Sequence, residues 1–228
     1  GKYIMQVLSE YKSPKIKGLP SFTGGLVGYF SYDYLKYSEP SLRLDAEDTE
    51  GFKDADLMLF DKVIAFDNFR QKIILIVNIS LDNYSAEYNR ALMELENMAS
   101  LIMHGAPKEY IPGIMKSDFT PLFTREEYCE MVNKAKHHIK EGDIFQIVLS
   151  NRLEADFEGS LLGAYRILRT LNPSPYMFYF SSDDIELAGA SPETLAKLDN
   201  GKLSTFPLAG TRPRGKDSGE DEALEREL

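Results

Sequence analysis

Tyr176-Met177-Phe178-Tyr179-Phe180-Ser181-Ser182-Asp183-Asp184-Ile185-Glu186-Leu187-Ala188-Gly189-Ala190 reads as a pair of strands, 176–181 and 185–190, joined across Asp183-Asp184. Its aromatic and aliphatic residues suit a pleated, partly buried surface, and the Ser/Asp cluster marks the turn. Directly downstream, 194–198 and 202–206 form a second such pair around Asp199-Asn200-Gly201, whose Asn-Gly step favours a type I′ hairpin turn. Connections this short join antiparallel strands.

Working outward towards the N-terminus, a short helix is expected over 160–171. Before it, Ile144-Phe145-Gln146-Ile147-Val148-Leu149-Ser150 is almost continuously apolar except for Gln146, the pattern of a buried strand. Thr124-Arg125-Glu126-Glu127 is a capping-box pattern that opens a helix running to Glu141, with Gly142 placed to end it. Residues 105–120, with Pro107, Pro112 and Gly113, show no period and suit a linker or crossover. From Tyr84 to Met103, apolar residues recur at three- and four-residue steps, as on an amphipathic helix. Residues 57–66 and 72–79 are β-rich, with Asp67-Asn68-Phe69-Arg70 as a hairpin connection. The acidic stretch 39–54 suits an exposed loop. Gly24-Gly25-Leu26-Val27-Gly28-Tyr29-Phe30-Ser31-Tyr32 suits an inner strand where other backbone approaches closely. Strands dominate with helices between and beside them, so the expected class is α+β with large, mostly antiparallel sheets and outer helices. Residues 1–120 form the sheet-rich part of this arrangement and 121–228 the part that follows.

Composition narrows the function. Of 228 residues, 43% are hydrophobic and 11% aromatic, which supports a packed core. The chain carries 36 acidic against 26 basic residues, a net charge of -10, which disfavours nucleic acid and anionic membrane as partners. Cys129 is the only cysteine, so no intrachain disulfide is expected and a reducing, cytoplasmic setting is the simplest. No apolar run approaches the roughly 20 residues of a membrane helix, and no basic-then-apolar leader is present. The sequence begins at Gly1 and ends within Asp221-Glu222-Ala223-Leu224-Glu225-Arg226-Glu227-Leu228, which reads as an unfinished helix. A fold cut at both ends is the expectation.

Few residues point to chemistry. His137 and His138 are adjacent, face different sides of their helix and do not form a chelating pair, so they read as surface histidines. The acidic tail 217–227 reads as a solvated helix face. Gly24-Gly25 lacks a dinucleotide fingerprint. Gln146, an amide in an apolar strand, must find partners or cost roughly 1–3 kcal/mol. It is either a core amide bonded to backbone or a pocket amide that positions a small polar molecule. Pro207-Leu208-Ala209-Gly210-Thr211-Arg212-Pro213-Arg214-Gly215 offers backbone N–H groups, a hydroxyl and guanidinium forks in one turn. Such a loop either holds a carboxylate or is a solvated basic turn. Glu193, at a strand end just upstream, is either an exposed carboxylate or a shielded acid able to donate a proton.

Taken together, Gly24-Gly25-Leu26-Val27-Gly28-Tyr29, Asp143-Ile144-Phe145-Gln146-Ile147-Val148-Leu149-Ser150, Asn172-Pro173-Ser174-Pro175-Tyr176-Met177-Phe178, Gly189-Ala190-Ser191-Pro192-Glu193 and the 207–215 loop resemble, in order and spacing, the chorismate-utilising enzyme family. The resemblance implies that residues 1–228 are a partial domain of that fold, with 121–228 starting its chorismate-binding part. It also implies a Mg²⁺ ion on a chorismate carboxylate, and addition of a nucleophile at C2 with loss of the C4 hydroxyl. Glu193 matches the family's general acid, and Ala209, Gly210 and Thr211 match its substrate loop. Salicylate and isochorismate synthases place a lysine where Gln146 stands, to activate water, and an amide cannot do that. Aminodeoxychorismate synthases carry a lysine where this chain has Ala209, which cannot attack the ring. The branch most resembled is therefore the anthranilate synthase large subunit, which adds ammonia and then eliminates pyruvate. That branch implies a glutamine amidotransferase partner and tryptophan as feedback inhibitor, with Pro175, Tyr176 and Met177 as tryptophan contacts. The metal ligands are expected beyond Leu228. Aminodeoxychorismate synthase remains one alternative and a non-catalytic tryptophan-sensing or interaction module another.

Overall fold

The computed structural model describes residues 1–44, 48–208 and 210–227, and divides into compact units Gly1–Lys108 and Glu109–Leu228.

In the first unit, β1 (Gly25–Phe30) pairs antiparallel with β2 (Ala55–Phe60), and β3 (Lys62–Asp67) with β4 (Lys72–Val77). The apolar run expected over 57–66 is thus two strands. Asp61 breaks it, and the halves join different ladders, because one strand cannot follow both partners as the chain turns. β1 pairs with β2 alone among the described residues, so it is not the inner strand expected. The close approach is present all the same: a Cβ at Gly28 would lie 1.9 Å from the Asp56 carbonyl oxygen. Asn78 ties the ladder ends together, its Nδ2 donating to the carbonyls of Thr23 (2.7 Å) and Asp61 (3.0 Å). Two helices complete the unit. α1 (Lys2–Glu10) lies where the sequence pattern raises no expectation, and α2 (Tyr84–His104) covers β4 as its periodicity predicts. The 3₁₀ turn Tyr32–Tyr37 is pinned to Asp54, whose carboxylate accepts from Lys36 Nζ (2.8 Å) and the Tyr37 hydroxyl (2.5 Å).

Of the expected linker or crossover 105–120, the part within the second unit carries two short strands. β5 (Ile114–Met115) and β6 (Thr120–Pro121) lie antiparallel to β8 (Phe157–Glu158) and β7 (Leu153–Glu154). α3 (Arg125–Glu141) has the reciprocal capping box between Thr124 and Glu127 and ends at Gly142 in the left-handed region. The segment 144–150 is not a strand. Phe145 is 92% and Val148 83% exposed, and the segment joins none of the two-stranded ladders, although each of them keeps an open edge. Only its end is held, where the Tyr128 hydroxyl donates to the Leu149 carbonyl. α4 (Leu162–Leu171) packs on the ladder of β9 (Tyr176–Ser181) and β10 (Glu186–Ser191). β11 (Thr194–Asp199) and β12 (Lys202–Phe206) form the hairpin whose turn residues Asn200 and Gly201 have φ of 50° and 77°, as a type I′ turn requires. α5 (Ser218–Glu227) follows the loop.

The architecture is α+β with antiparallel ladders of two strands each. A ladder this narrow leaves most of its apolar face uncovered. The packed core expected from composition is correspondingly thin: Ala91, Ala135 and Phe180 are its buried apolar residues among those described. No helix among the described residues is long and apolar enough to cross a membrane.

Candidate functional site

The candidate site lies in the second unit, where β9, β10 and the β11–β12 hairpin meet. Antiparallel register sets Tyr176 opposite Ser191 and Met177 opposite Ala190, so the segment singled out for an amino-acid ligand runs directly beside the one that leads to Glu193. Pro192 and Glu193 connect β10 to β11. The Glu193 carbonyl accepts from the Ser191 hydroxyl (3.3 Å), and its Oε1 accepts from the Leu208 N–H (3.3 Å). The last contact brings the candidate acid against the start of the 207–215 loop. Beside it is an open pocket of about 270 Å³ lined by Glu193, Thr194, Leu195 and Thr205. Pro175 and Tyr176 are exposed and Met177 half-buried.

Other sequence-singled residues stand apart. Gln146 is exposed and belongs to no strand, so it is not a buried core amide, and it does not line the pocket beside Glu193. Ala209 lies outside the described residues. Gly210 and Thr211 are exposed and in no regular element. The loop's guanidiniums already have carboxylate partners on α5: Arg214 meets Asp221 at 2.6 Å and Arg212 approaches Glu227 at 3.7 Å. Gly215 and Lys216 donate their backbone N–H groups to Asp221 and Glu220. The acidic tail is therefore not simply a solvated face; it organises the end of the basic loop. His138 pairs with Asp143 at 2.8 Å, and His137 lies exposed, 4.0 Å from Glu141.

Two features escape sequence reasoning. Thr194 is the buried polar residue among those described, and its Oγ1 lies 2.6 Å from the Tyr176 hydroxyl. A threonine in a strand carries no mark of such a role. Glu186, on β10, accepts from the Leu161 N–H (2.6 Å), the Tyr179 hydroxyl (2.8 Å) and the Ser160 hydroxyl (3.2 Å). The Leu161 N–H, with help from those hydroxyls and against partial desolvation, holds its carboxyl below the usual glutamate range. The polar residue inside the apolar 185–190 run was its one sequence signal.

Among the described residues, no group of three or more His, Cys, Asp and Glu side chains is placed to hold a metal ion. The Mg²⁺ that the family resemblance implies therefore finds no complete ligand set in them. What the arrangement supplies is a carboxyl group at a strand junction, a backbone donor facing it, and a pocket for a small molecule.

The chain is similar to known proteins over its length. The chain is 40% identical over 241 residues to anthranilate synthase component 1 of Acinetobacter calcoaceticus, covering 100% of this chain and 47% of that protein. It is 40% identical over 243 residues to the chloroplastic anthranilate synthase alpha subunit 1 of Arabidopsis thaliana, covering 99% and 41%. The crystal structure of anthranilate synthase component I from Streptococcus pneumoniae superposes with a TM-score of 0.69 at 29% identity, over 89% of this chain and 45% of that one. The chain thus spans about half the length of the curated relatives it matches. The model of the chorismate binding enzyme family matches residues 3–228, and the chain belongs to that family.

Proposed function

We propose that these residues are part of an anthranilate synthase large subunit, which converts chorismate and ammonia to anthranilate and pyruvate in the cytoplasm. The observation that carries the reading is the contact of Glu193 with Leu208, which joins the candidate acid to the substrate loop beside an open pocket. Glu193 would give its proton to the C4 hydroxyl of chorismate, which leaves as water while ammonia nitrogen bonds to C2. Gly210 and Thr211, with Ala209 beside them, would receive the ring carboxylate through backbone N–H groups and the threonine hydroxyl. Loss of a proton from C2 and of the enolpyruvyl group as pyruvate then restores the aromatic ring.

Mg²⁺ would neutralise carboxylate charge in this reaction, and the described residues do not assemble a site for it. On this reading its ligands belong to the half of the family's length that the chain does not span. Ammonia would come from a glutamine amidotransferase partner, and tryptophan would bind at Pro175, Tyr176 and Met177 as feedback inhibitor. Gln146 and Ala209 favour ammonia over water or a covalent lysine, since neither side chain supplies a basic nitrogen.

The test is product analysis with chorismate, ammonium and Mg²⁺, on a polypeptide that carries these residues together with the rest of the family's length. Anthranilate is expected, and Glu193→Gln should lower kcat by about 10²–10⁴-fold, the usual worth of a general acid. Accumulation of 4-amino-4-deoxychorismate as the final product, or a Glu193→Gln enzyme of undiminished kcat, overturns the proposal.

A further inference from the structure

We propose that Thr194 is a positioning residue for Glu193 and that the Tyr176 hydroxyl sets it. Glu193 occupies a junction that is only Pro192-Glu193 long, between the end of β10 at Ser191 and the start of β11 at Thr194. Proline restricts the backbone on one side of the acid. On the other side Thr194 is 9% exposed and held from both neighbouring strands. Its hydroxyl meets Tyr176 of β9 at 2.6 Å, and its carbonyl accepts from the Thr205 hydroxyl of β12 at 3.2 Å.

Among the described residues, no strand hydrogen bonds cross between the β9–β10 and β11–β12 ladders, which are separate sheets. The Tyr176–Thr194 bond is thus a side-chain strut spanning the bend that carries Glu193. Without it, the first residue of β11 is free to rotate relative to β9. The Cα–Cβ direction of Glu193 then moves with it, and the 3.3 Å contact from its carboxylate to the Leu208 N–H is the first thing lost. A buried hydroxyl left without a partner would add a further penalty to the rotated state, which makes the bonded arrangement the defined one. This role for the Tyr176 hydroxyl differs from contact with an amino-acid ligand by the same residue. The inference rests on Glu193 as the acid for its catalytic meaning, while its geometry can be tested without that assumption.

The experiment compares the Leu208 amide cross-peak of the ¹⁵N-labelled chain with and without Glu193→Gln, which removes the carboxylate charge. In the otherwise unmodified chain the amide proton should move upfield when the carboxylate it faces is replaced. Thr194→Val, which keeps the β-branched shape, and Tyr176→Phe, which removes only the hydroxyl, should each reduce that movement at least about twofold. Thr194→Ser, which restores the hydroxyl, should retain it. Tyr176 is 42% exposed, so its variant carries the test if Thr194→Val fails to fold. An undiminished Leu208 response in Tyr176→Phe, or no response in the unmodified chain, overturns the proposal. If the response falls in both variants while Glu193→Gln leaves turnover intact, the positioning stands and the assignment of Glu193 as the acid fails.

Discussion

Glu186 and Glu193 lie on the same stretch of chain yet are held in opposite ways. Glu186 accepts from the Leu161 N–H and the Ser160 hydroxyl at the start of α4, where the helix dipole also favours negative charge, and from the Tyr179 hydroxyl of β9. It is a fixed anion that joins helix to sheet. Glu193 has one long backbone contact and a pocket beside it, which leaves its carboxyl free to meet another molecule. The structural role of Glu186 has a pH signature. Its folded pKa lies below the ordinary 4.5, so the stability it adds is fully present above the unfolded value and is lost as pH falls through the folded one. Glu186→Gln should cost about 1 kcal/mol near neutral pH, a figure kept low because the site is partly open to solvent. Urea titrations should show that cost shrinking as pH falls through the lowered folded value of Glu186. A cost that stays the same as pH falls would mean that shape, not charge, holds this junction of helix and sheet.

At the scale of elements, the β1–β2 ladder depends on a missing side chain. Gly28 faces Leu57 across the pair, and a Cβ there would sit 1.9 Å from the Asp56 carbonyl oxygen, a backbone atom that cannot swing away. Gly28→Ala should therefore open the ladder locally and cost at least about 2 kcal/mol, in the range of overpacked sites. Hydrogen exchange should show lost protection for the β1 and β2 amides while β3 and β4 keep theirs; unchanged protection in β1 would contradict the close approach. Other elements were legible in sequence because their signals are local. The capping box at Thr124, the Asn200-Gly201 turn and the spacing from Tyr84 to Met103 each act within a few residues, and each forms as read. Segment 144–150 was misread because its apolar pattern states only that burial is favourable, not that a strand edge exists to receive it. For the same reason Gln146 could be singled out but not placed. The contact of Glu193 with Leu208 and that of Tyr176 with Thr194 cross turns and ladders, and no residue spacing encodes them.

For the whole molecule, the thin core and the division at Lys108 bear on how the chain comes apart. Residues 105–110 are exposed and belong to no helix or strand, and they lie at the junction of the compact units. Proteases need an exposed segment that can adopt an extended conformation in the active site. Lys108 meets that need, whereas the lysines of α3 and β4 are held in hydrogen-bonded backbone. Brief trypsin treatment of the folded chain should therefore cut after Lys108 among its earliest sites, with the equally exposed Lys12, giving a fragment that begins at Glu109 in mass spectrometry. Narrow ladders with few buried side chains open more readily than broad ones, so secondary cuts should follow at Lys72 and Lys202, which lie at strand ends, before any within α2. Early cleavage at Arg90, in the middle of α2 and bonded to Glu87 at 2.7 Å, would show instead that the helix over β4 is the weakest part and that the boundary at Lys108 does not govern opening.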